Sequence, residues 1–168
     1  MLGLSSSAQT TQLSVESSIA RGIAEGLVDE VLGTRYAAAG AGPYQTSLTA
    51  SSWERAGQGR ERFNDTDDFN QFSAQPVEGP WGVALGLGND VGGLRHAHFQ
   101  LPANYFSGWS EEIEVYYVDE SNPSVRLTGT NTSNFRAVEV RILADNHDGT
   151  QRELATLRRV YAYVPAPQ

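Results

Sequence analysis

Apolar side chains near the start of the chain follow a helical pattern. They are spaced at i, i+3, i+4, i+7, i+8 and i+11, so they form one continuous face of a helix. The pattern predicts a helix over 13–32, within an N-terminal segment of 1–33, and Gly33 is a typical residue to end it. The predicted packing face consists of Ala20, Ile23, Ala24, Leu27, Val28 and Val31. The acidic residues expected to face away from it are Glu16, Glu25, Asp29 and Glu30.

The last third of the chain alternates between apolar and polar positions, which is typical of half-buried strands. Ile113, Val115 and Tyr117 mark a first strand, while Val138 and Ile142 lie on a second. A turn at 146–149 with an Asp-Gly pair leads into a third strand, over about 152–164. These strands predict an antiparallel meander over 108–164, followed by a short tail at 165–168.

The middle segment, 34–107, has no sustained period. It contains four of the seven prolines, yet its aromatic residues are too numerous for a disordered linker. We therefore expect an ordered, irregular layer, with short strands near 81–87 and 94–100. The chain as a whole predicts a single α+β domain, 1–168, with a long N-terminal helix packed on a C-terminal antiparallel sheet.

Composition excludes several chemistries. The 168 residues carry a formal charge of −8, all 12 basic residues are arginines, and cysteine is absent. Schiff-base lysines, thiolate nucleophiles, disulfides and cysteine-bound metals are therefore excluded. The acidic balance argues against a nucleic-acid-binding surface, because phosphate binding requires clustered positive charge. No run approaches the ~18 apolar residues that a membrane span requires.

The most distinctive motif is an acidic loop between two phenylalanines, Phe63 and Phe69. Calcium takes about 6–8 oxygen ligands, and this loop offers carboxylates and carboxamides at close spacing. The candidate calcium ligands are Asn64, Asp65, Asp67 and Asp68. The alternative is a polar loop whose aspartates cap turns and a helix. Asp65 and Asp68 as a hydrolase pair is a further alternative, since two carboxylates can act as acid and base.

Histidine and tryptophan supply the other candidate chemistry. His96 and His98 are expected to form a surface or packed pair rather than a metal site, because the further ligands that zinc requires are missing at recognisable spacing. Trp53, Trp81 or Trp109 can line an aromatic groove for a carbohydrate, although Trp109 precedes a predicted strand and is expected to pack there.

Four segments give the chain its resemblance to a known family. These are the helix segment 20–32 with Arg35 and Tyr36, the acidic loop 63–69, the Trp-led strand 108–119 and the strand 135–142. In this order they resemble the soluble part of type IV pilin-like proteins over about 17–163. The resemblance is closest to prepilin-type minor pilins of planctomycete-like bacteria, which are related to mannose-sensitive haemagglutinin pilins.

The resemblance implies a non-catalytic structural subunit, a minor pilin or pseudopilin, of a type IV pilus or type II secretion-like filament. Its implied partners are other pilin or pseudopilin subunits, and its implied location is the cell envelope or a surface filament, either periplasmic or extracellular. Contact with the inner membrane is expected only through the leader and the span of ~20 apolar residues with which family members begin; the printed sequence contains neither. Pseudopilins with a calcium loop add Ca2+ as a candidate cofactor.

Two other functions are compatible with the residues. A surface carbohydrate- or ligand-binding β-rich module would use the exposed tryptophans, and a small hydrolase would use the acidic loop. The pilin-like assignment further implies that the apolar stripe of the helix is divided between the chain's own sheet and neighbouring subunits.

Overall fold

A computed structural model gives the fold of the chain. It describes residues 2–86, 89–90, 93–94, 96, 98, 100–102, 104–146 and 148–165; within these, side chains are described except at 2–10, 89–90 and 93–94. Among the described residues, no helix combines the length and hydropathy that a membrane-spanning helix requires.

A long helix, α1, opens the fold and extends from Leu2–Leu32, so it begins well before the predicted residue 13. It ends where predicted, and the backbone N–H of Gly33 donates to the carbonyl oxygen of Asp29 at 2.9 Å. Ala20, Ala24, Leu27, Val28 and Val31 are buried, and Ile23 is half-buried. The helical period therefore identified the face that packs on the sheet.

A four-stranded antiparallel sheet forms the second layer. In order across the sheet, its strands are β1 (Phe72–Ala74), β4 (Trp109–Tyr117), β5 (Phe135–Asp145) and β6 (Gln151–Ala162). The last three form the predicted meander: β4 pairs with β5 from Trp109↔Ala144 to Tyr117↔Arg136. The β5–β6 pairing shifts by one residue between Ile142 and Leu143, which is a β-bulge.

The core lies between α1 and one face of this sheet. Side chains alternate across a strand, so Ile113, Val115, Val138 and Val140 share the inner face and are fully buried. Together with the buried helix face they form one cluster, joined by Phe69, Val77, Phe106, Trp109, Ile142, Ala144 and Leu154. The result is the α+β class that the sequence predicted: a helix on an antiparallel sheet.

The middle segment is more regular than expected. It contributes a short helix α2 (Ser52–Arg55), a 3-10 turn (Thr66–Phe69) and the edge strand β1, which the sequence analysis missed. Three residues are too few to reveal an alternating pattern, and β1 is specified by its pairing with Glu111–Ile113 of β4.

The two short strands expected in the middle segment are not where the pattern placed them. In the described part of 81–87, Ala84 makes only an isolated bridge with Glu78. A two-stranded ribbon, β2 (Asn89–Asp90) and β3 (Gly93–Leu94), follows the first expected strand and overlaps the second only at Leu94. Residues 95, 97 and 99 of the second expected strand, and 166–168 of the tail, lie outside the described residues.

Candidate functional site

The acidic loop folds into a capped 3-10 turn directly beside the end of α1. Asp65 is the N-cap, and its Oδ1 accepts the backbone N–H of Asp67 at 3.1 Å. Asp68, within the turn, bonds back to the residues before it: its Oδ2 accepts the backbone N–H of Asn64 at 2.7 Å and that of Asp65 at 3.2 Å. This reciprocal arrangement is a capping box, and it explains why two aspartates lie three residues apart.

The turn brings three of the predicted metal ligands together in a buried position. Asp65, Asp67 and Asp68 each offer a carboxylate oxygen, and these oxygens all lie within 4.8 Å of one another. Their exposed fractions are only 2, 6 and 3%. Burial raises the pKa of Asp65 to about 7, with a further increase from neighbouring Asp67, and raises that of Asp68 to about 6.

A fully buried arginine, Arg136, lies beside Asp67 of this aspartate cluster. Nη1 of Arg136 lies 3.5 Å from Oδ1 of Asp67 and donates to Oγ1 of Thr66 at 2.9 Å. Its Nη2 donates to the Tyr117 hydroxyl at 3.0 Å, and its guanidinium lies over the Tyr36 ring at 4.2 Å. The one positive charge described beside the cluster thus lies next to Asp67, so the three carboxylates together exceed it in charge when all are ionised.

The fourth predicted ligand, Asn64, is directed elsewhere. Its side-chain Nδ2 donates to Oε1 of Glu54 at 2.7 Å. The structure therefore brings three carboxylates together and leaves the carboxamide outside. Calcium binding by Asp65, Asp67 and Asp68 stays a prediction. Among the described residues Asp67 Oδ1 has no hydrogen-bond partner, but Asp65 and Asp68 already accept backbone N–H groups.

A second buried ionic group, which sequence reasoning missed, lies under the sheet. Arg60 contacts Oε1 of Glu111 at 2.7 Å and Oε1 of Glu30 at 3.0 Å, so Glu30 does not simply face away from the packing surface as expected. Burial raises the pKa of Glu111 to about 7, against the pull of the Arg60 charge. The missed signal was strand parity: Glu111 is two residues before Ile113, and Arg136 is two before Val138, which places both on the inner face.

The predicted subunit-packing residues are mostly used inside the chain itself. Ala20, Ala24, Leu27, Val28 and Val31 are in the core, and only Ile23 is half-buried. Among the described side chains of the same helix, the exposed large apolar ones are Leu13 and Val15, towards its start, and Leu32 at its end.

The remaining candidates are distributed over the surface and the core. Trp109 is buried at the start of β4, as its expected packing role requires, whereas Trp53 and Trp81 are exposed. His96 and His98 are both exposed, and their rings stack at a centroid distance of 5.0 Å. His147 lies outside the described residues.

Comparison with known proteins identifies no relative: no family model matches the sequence, and neither the curated proteins nor the solved structures contain a significant match. The fold class of the chain is α+β, with a helix packed on an antiparallel sheet. The resemblance to type IV pilin-like proteins stays a prediction from the sequence.

Proposed function

We propose that this protein is a non-catalytic structural subunit, a minor pilin or pseudopilin, of a type IV pilus or type II secretion-like filament. The observation that carries the proposal is the unequal environment of α1. One face of its second half is buried on the sheet from Ala20 to Val31, whereas all the described side chains at 11–15 are exposed. One helix thus combines a part fixed in its own domain with a part available to neighbours.

The side-chain contacts mark where the helix meets its own sheet. Glu16 accepts a hydrogen bond from Arg152 of β6 at 2.9 Å, and the Ser17 hydroxyl donates to the carbonyl of Leu154 at 3.4 Å. The 14 residues before Glu16 correspond to about 21 Å of helix at 1.5 Å per residue. Contacts along such a segment are heterologous, and repeated head-to-tail they extend a helical filament.

Burial of the aspartate cluster supports a non-catalytic role. Asp65 and Asp68, the candidate hydrolase pair, are almost fully buried and accept backbone N–H groups in the capped turn. A general acid or base must come within hydrogen-bond distance of its substrate. Carboxylates that are closed off in this way serve the local fold, and the acidic exterior suits a subunit exposed at the cell envelope or surface.

The proposal can be tested by cysteine cross-linking in the cells that make the protein. Because the printed chain has no cysteine, Leu13→Cys or Val15→Cys introduces the single thiol of this chain. We expect a benzophenone-maleimide attached to this thiol to photo-cross-link these variants to neighbouring subunits, in a fraction sheared from the cell surface or in an envelope fraction. Val125→Cys, an equally exposed position in the loop after β4, is the matched control. The proposal fails if the protein is absent from both fractions, or if the helix variants remain monomeric.

A further inference from the structure

The last strand, β6, forms one edge of the four-stranded sheet. It spans Gln151–Ala162 and, with 12 residues, is the longest strand in the described part of the chain. The unpaired N–H and C=O groups of an edge strand can bond to another chain, so edge strands of monomeric proteins are usually short, bent or covered. A long edge strand is therefore the part of this sheet best suited to bind a further strand.

The opposite edge of the sheet is largely covered by the chain itself. The strand at that edge, β1, contains only 3 residues. Beyond it, Oδ1 of Asn70 accepts the backbone N–H of Val115 at 3.0 Å, and the N–H of Leu127 donates to the carbonyl of Tyr117 at 2.9 Å. The two edges of the sheet thus differ in how much of their backbone they leave open.

The second half of β6 presents a regular row of outward-pointing backbone groups. The N–H of Tyr163 donates to the carbonyl of Asn134 at 2.8 Å, in register with the pairing of β5 and β6. Because backbone groups alternate in direction along an antiparallel strand, the odd-numbered residues of 157–163 bond to β5 and the even-numbered ones point away from it. The outward-pointing residues are Thr156, Arg158, Val160 and Ala162.

This outward row is poorly covered by side chains. Among the described residues, its one hydrogen bond is a long contact of 3.4 Å from Nη1 of Arg159 to the carbonyl of Arg158. The Arg158 side chain is itself directed across the outer face of the sheet, where its Nε donates to the Tyr116 hydroxyl at 2.9 Å. The two arginines therefore leave most of the row open to a second strand.

The features that usually protect an edge strand lie in the first half of β6. The β-bulge in the β5–β6 pairing is there. The helix α1 also contacts this half: Glu16 accepts a hydrogen bond from Arg152, and the Ser17 hydroxyl donates to the carbonyl of Leu154. In the second half the ladder is regular, no proline interrupts it, and the Val160 side chain is 36% exposed. The second half is therefore the part that is free to pair.

We propose that the second half of β6 pairs antiparallel with the same segment of a second copy of this chain. The two sheets then join into one continuous sheet across a twofold axis, which is an isologous interface. This inference goes beyond the filament role and does not depend on it, because it concerns the free edge of the sheet and not the first half of α1.

The side chains of β6 select the register of this pairing. A twofold axis at Arg158 or Arg159 would place like charges directly opposite each other, which is destabilising. An axis at Leu157 would extend the pairing to Leu154, whose carbonyl already accepts a hydrogen bond from α1. An axis at Val160 avoids both conflicts.

The register centred on Val160 is complementary in its side chains as well as its backbone. Val160 lies opposite its own copy, and Arg159 lies opposite Tyr161 of the second copy, where a guanidinium can stack on an aromatic ring. Residues 158–162 of the two copies exchange about six N–H···O bonds. Any extended chain can bond to the backbone row, but a second copy also matches its charges and its exposed valine, which identifies the occupant.

Analytical ultracentrifugation of the intact chain tests the pairing. We expect a reversible monomer–dimer equilibrium, with the dimer as the main species at about 0.5 mM chain, because dimerisation follows mass action. Val160→Arg places like charges opposite each other on the axis and should weaken dimerisation at least about tenfold. Val125→Arg, the same change at an exposed valine in the loop after β4, is the matched control and should leave dimerisation unchanged.

Val160→Pro tests the backbone contribution separately. Proline lacks the N–H that points away from β5, and an edge strand tolerates proline at such a position. The single chain should therefore keep its circular dichroism spectrum, while dimerisation weakens as it does in Val160→Arg.

Cysteine cross-linking tests the register, since the printed chain has no cysteine. In Val160→Cys the two copies of the residue lie about 5.5 Å apart between Cα atoms, within disulfide range, so this variant should oxidise to a linked dimer. In Thr156→Cys, on the same strand, they lie about 27 Å apart at ~3.4 Å per residue and should link far more slowly. The proposal is overturned if the natural chain stays monomeric at about 0.5 mM, if Val160→Arg and Val125→Arg dimerise alike, or if both cysteine variants link at equal rates.

Discussion

At the scale of single residues, the most informative feature of the molecule is a set of buried ionisable side chains. Asp65 and Asp68 lie in a capped turn, and burial raises their pKa values to about 7 and about 6. Their neighbouring charged groups include Asp67 and Glu54, and the Arg136 guanidinium lies beside Asp67. Because the pKa values in the fold exceed the ordinary value of about 3.9, the folded protein binds protons more tightly than the unfolded chain does.

We predict that this aspartate cluster makes the protein less stable as the pH rises. A carboxyl with a raised pKa contributes stability that is complete below pH 4 and is lost as the pH rises through 6 and 7. Asp65→Asn keeps the oxygen that accepts the Asp67 N–H but cannot ionise. Relative to the natural chain, this variant should gain on the order of 2–4 kcal/mol of unfolding free energy between pH 4 and pH 8.

Denaturant unfolding at several pH values measures this difference. Asp119→Asn is the matched control, because hydrogen bonds, foremost from Ser121, hold the pKa of that carboxyl below its ordinary value. Parallel stability curves for the natural chain and Asp65→Asn across this pH range would contradict the prediction.

At the scale of elements, α1 shows how a sequence pattern and a packed face correspond. The i, i+3, i+4 spacing identified the buried residues, because a helix can bury only one face against a sheet. The same pattern did not reveal that helix geometry continues back to Leu2, since polar residues without a period give no such signal. Gly22 and Gly26 lie on the exposed side of the helix, and a Cβ at either position would meet nothing within 4 Å.

We predict that replacing these two glycines with alanine stabilises the protein. Each change removes the entropic cost of glycine in a helix, about 0.5–1 kcal/mol, without creating a clash. Thermal unfolding should show an increase in Tm for Gly22→Ala and Gly26→Ala. Gly59→Ala should instead lower Tm strongly, because Gly59 has a φ of +56° and a Cβ there would collide with Gly82. A decrease in Tm for both helix variants would indicate a close neighbour at that face, such as a second subunit.

At the scale of the whole molecule, Arg60 connects three separate parts of the fold. It contacts Glu30 near the end of α1 and Glu111 on β4, and it donates to the carbonyl of Glu78 at 3.3 Å. Its side chain also lies over the Phe72 ring of β1 at 4.9 Å. Since the Arg60 and Glu111 side chains are only 1 and 0% exposed, losing Arg60 leaves the Glu111 carboxyl buried without its positive partner.

We predict that Arg60→Ala destabilises the protein by about 3–5 kcal/mol, the usual cost of breaking a buried ion pair from one side. Glu111→Gln, which keeps a hydrogen-bonding group, should lower the unfolding free energy by less. It also allows the pair to be measured if Arg60→Ala does not fold. Arg126→Ala breaks an exposed pair with Glu114 and should cost at most about 1 kcal/mol. Urea unfolding compares the three variants. Equal losses of unfolding free energy for Arg60→Ala and Arg126→Ala would show that the buried pair stabilises the fold no more than an exposed pair does.

The sequence by itself determined the helix, the three-stranded meander and the residues that face each other between them. Those features follow from periods of 3.6 and 2 residues, which are local properties of the chain. It also grouped Asp65, Asp67 and Asp68, because they are neighbours in one short loop. Tertiary structure alone decided that Arg136 lies beside Asp67 and Thr66, that Arg60 contacts Glu30 and Glu111, and that β1 joins the sheet edge. These partners lie 30 to 70 residues apart in the chain, and only the packing of helix on sheet brings their charges and backbones together.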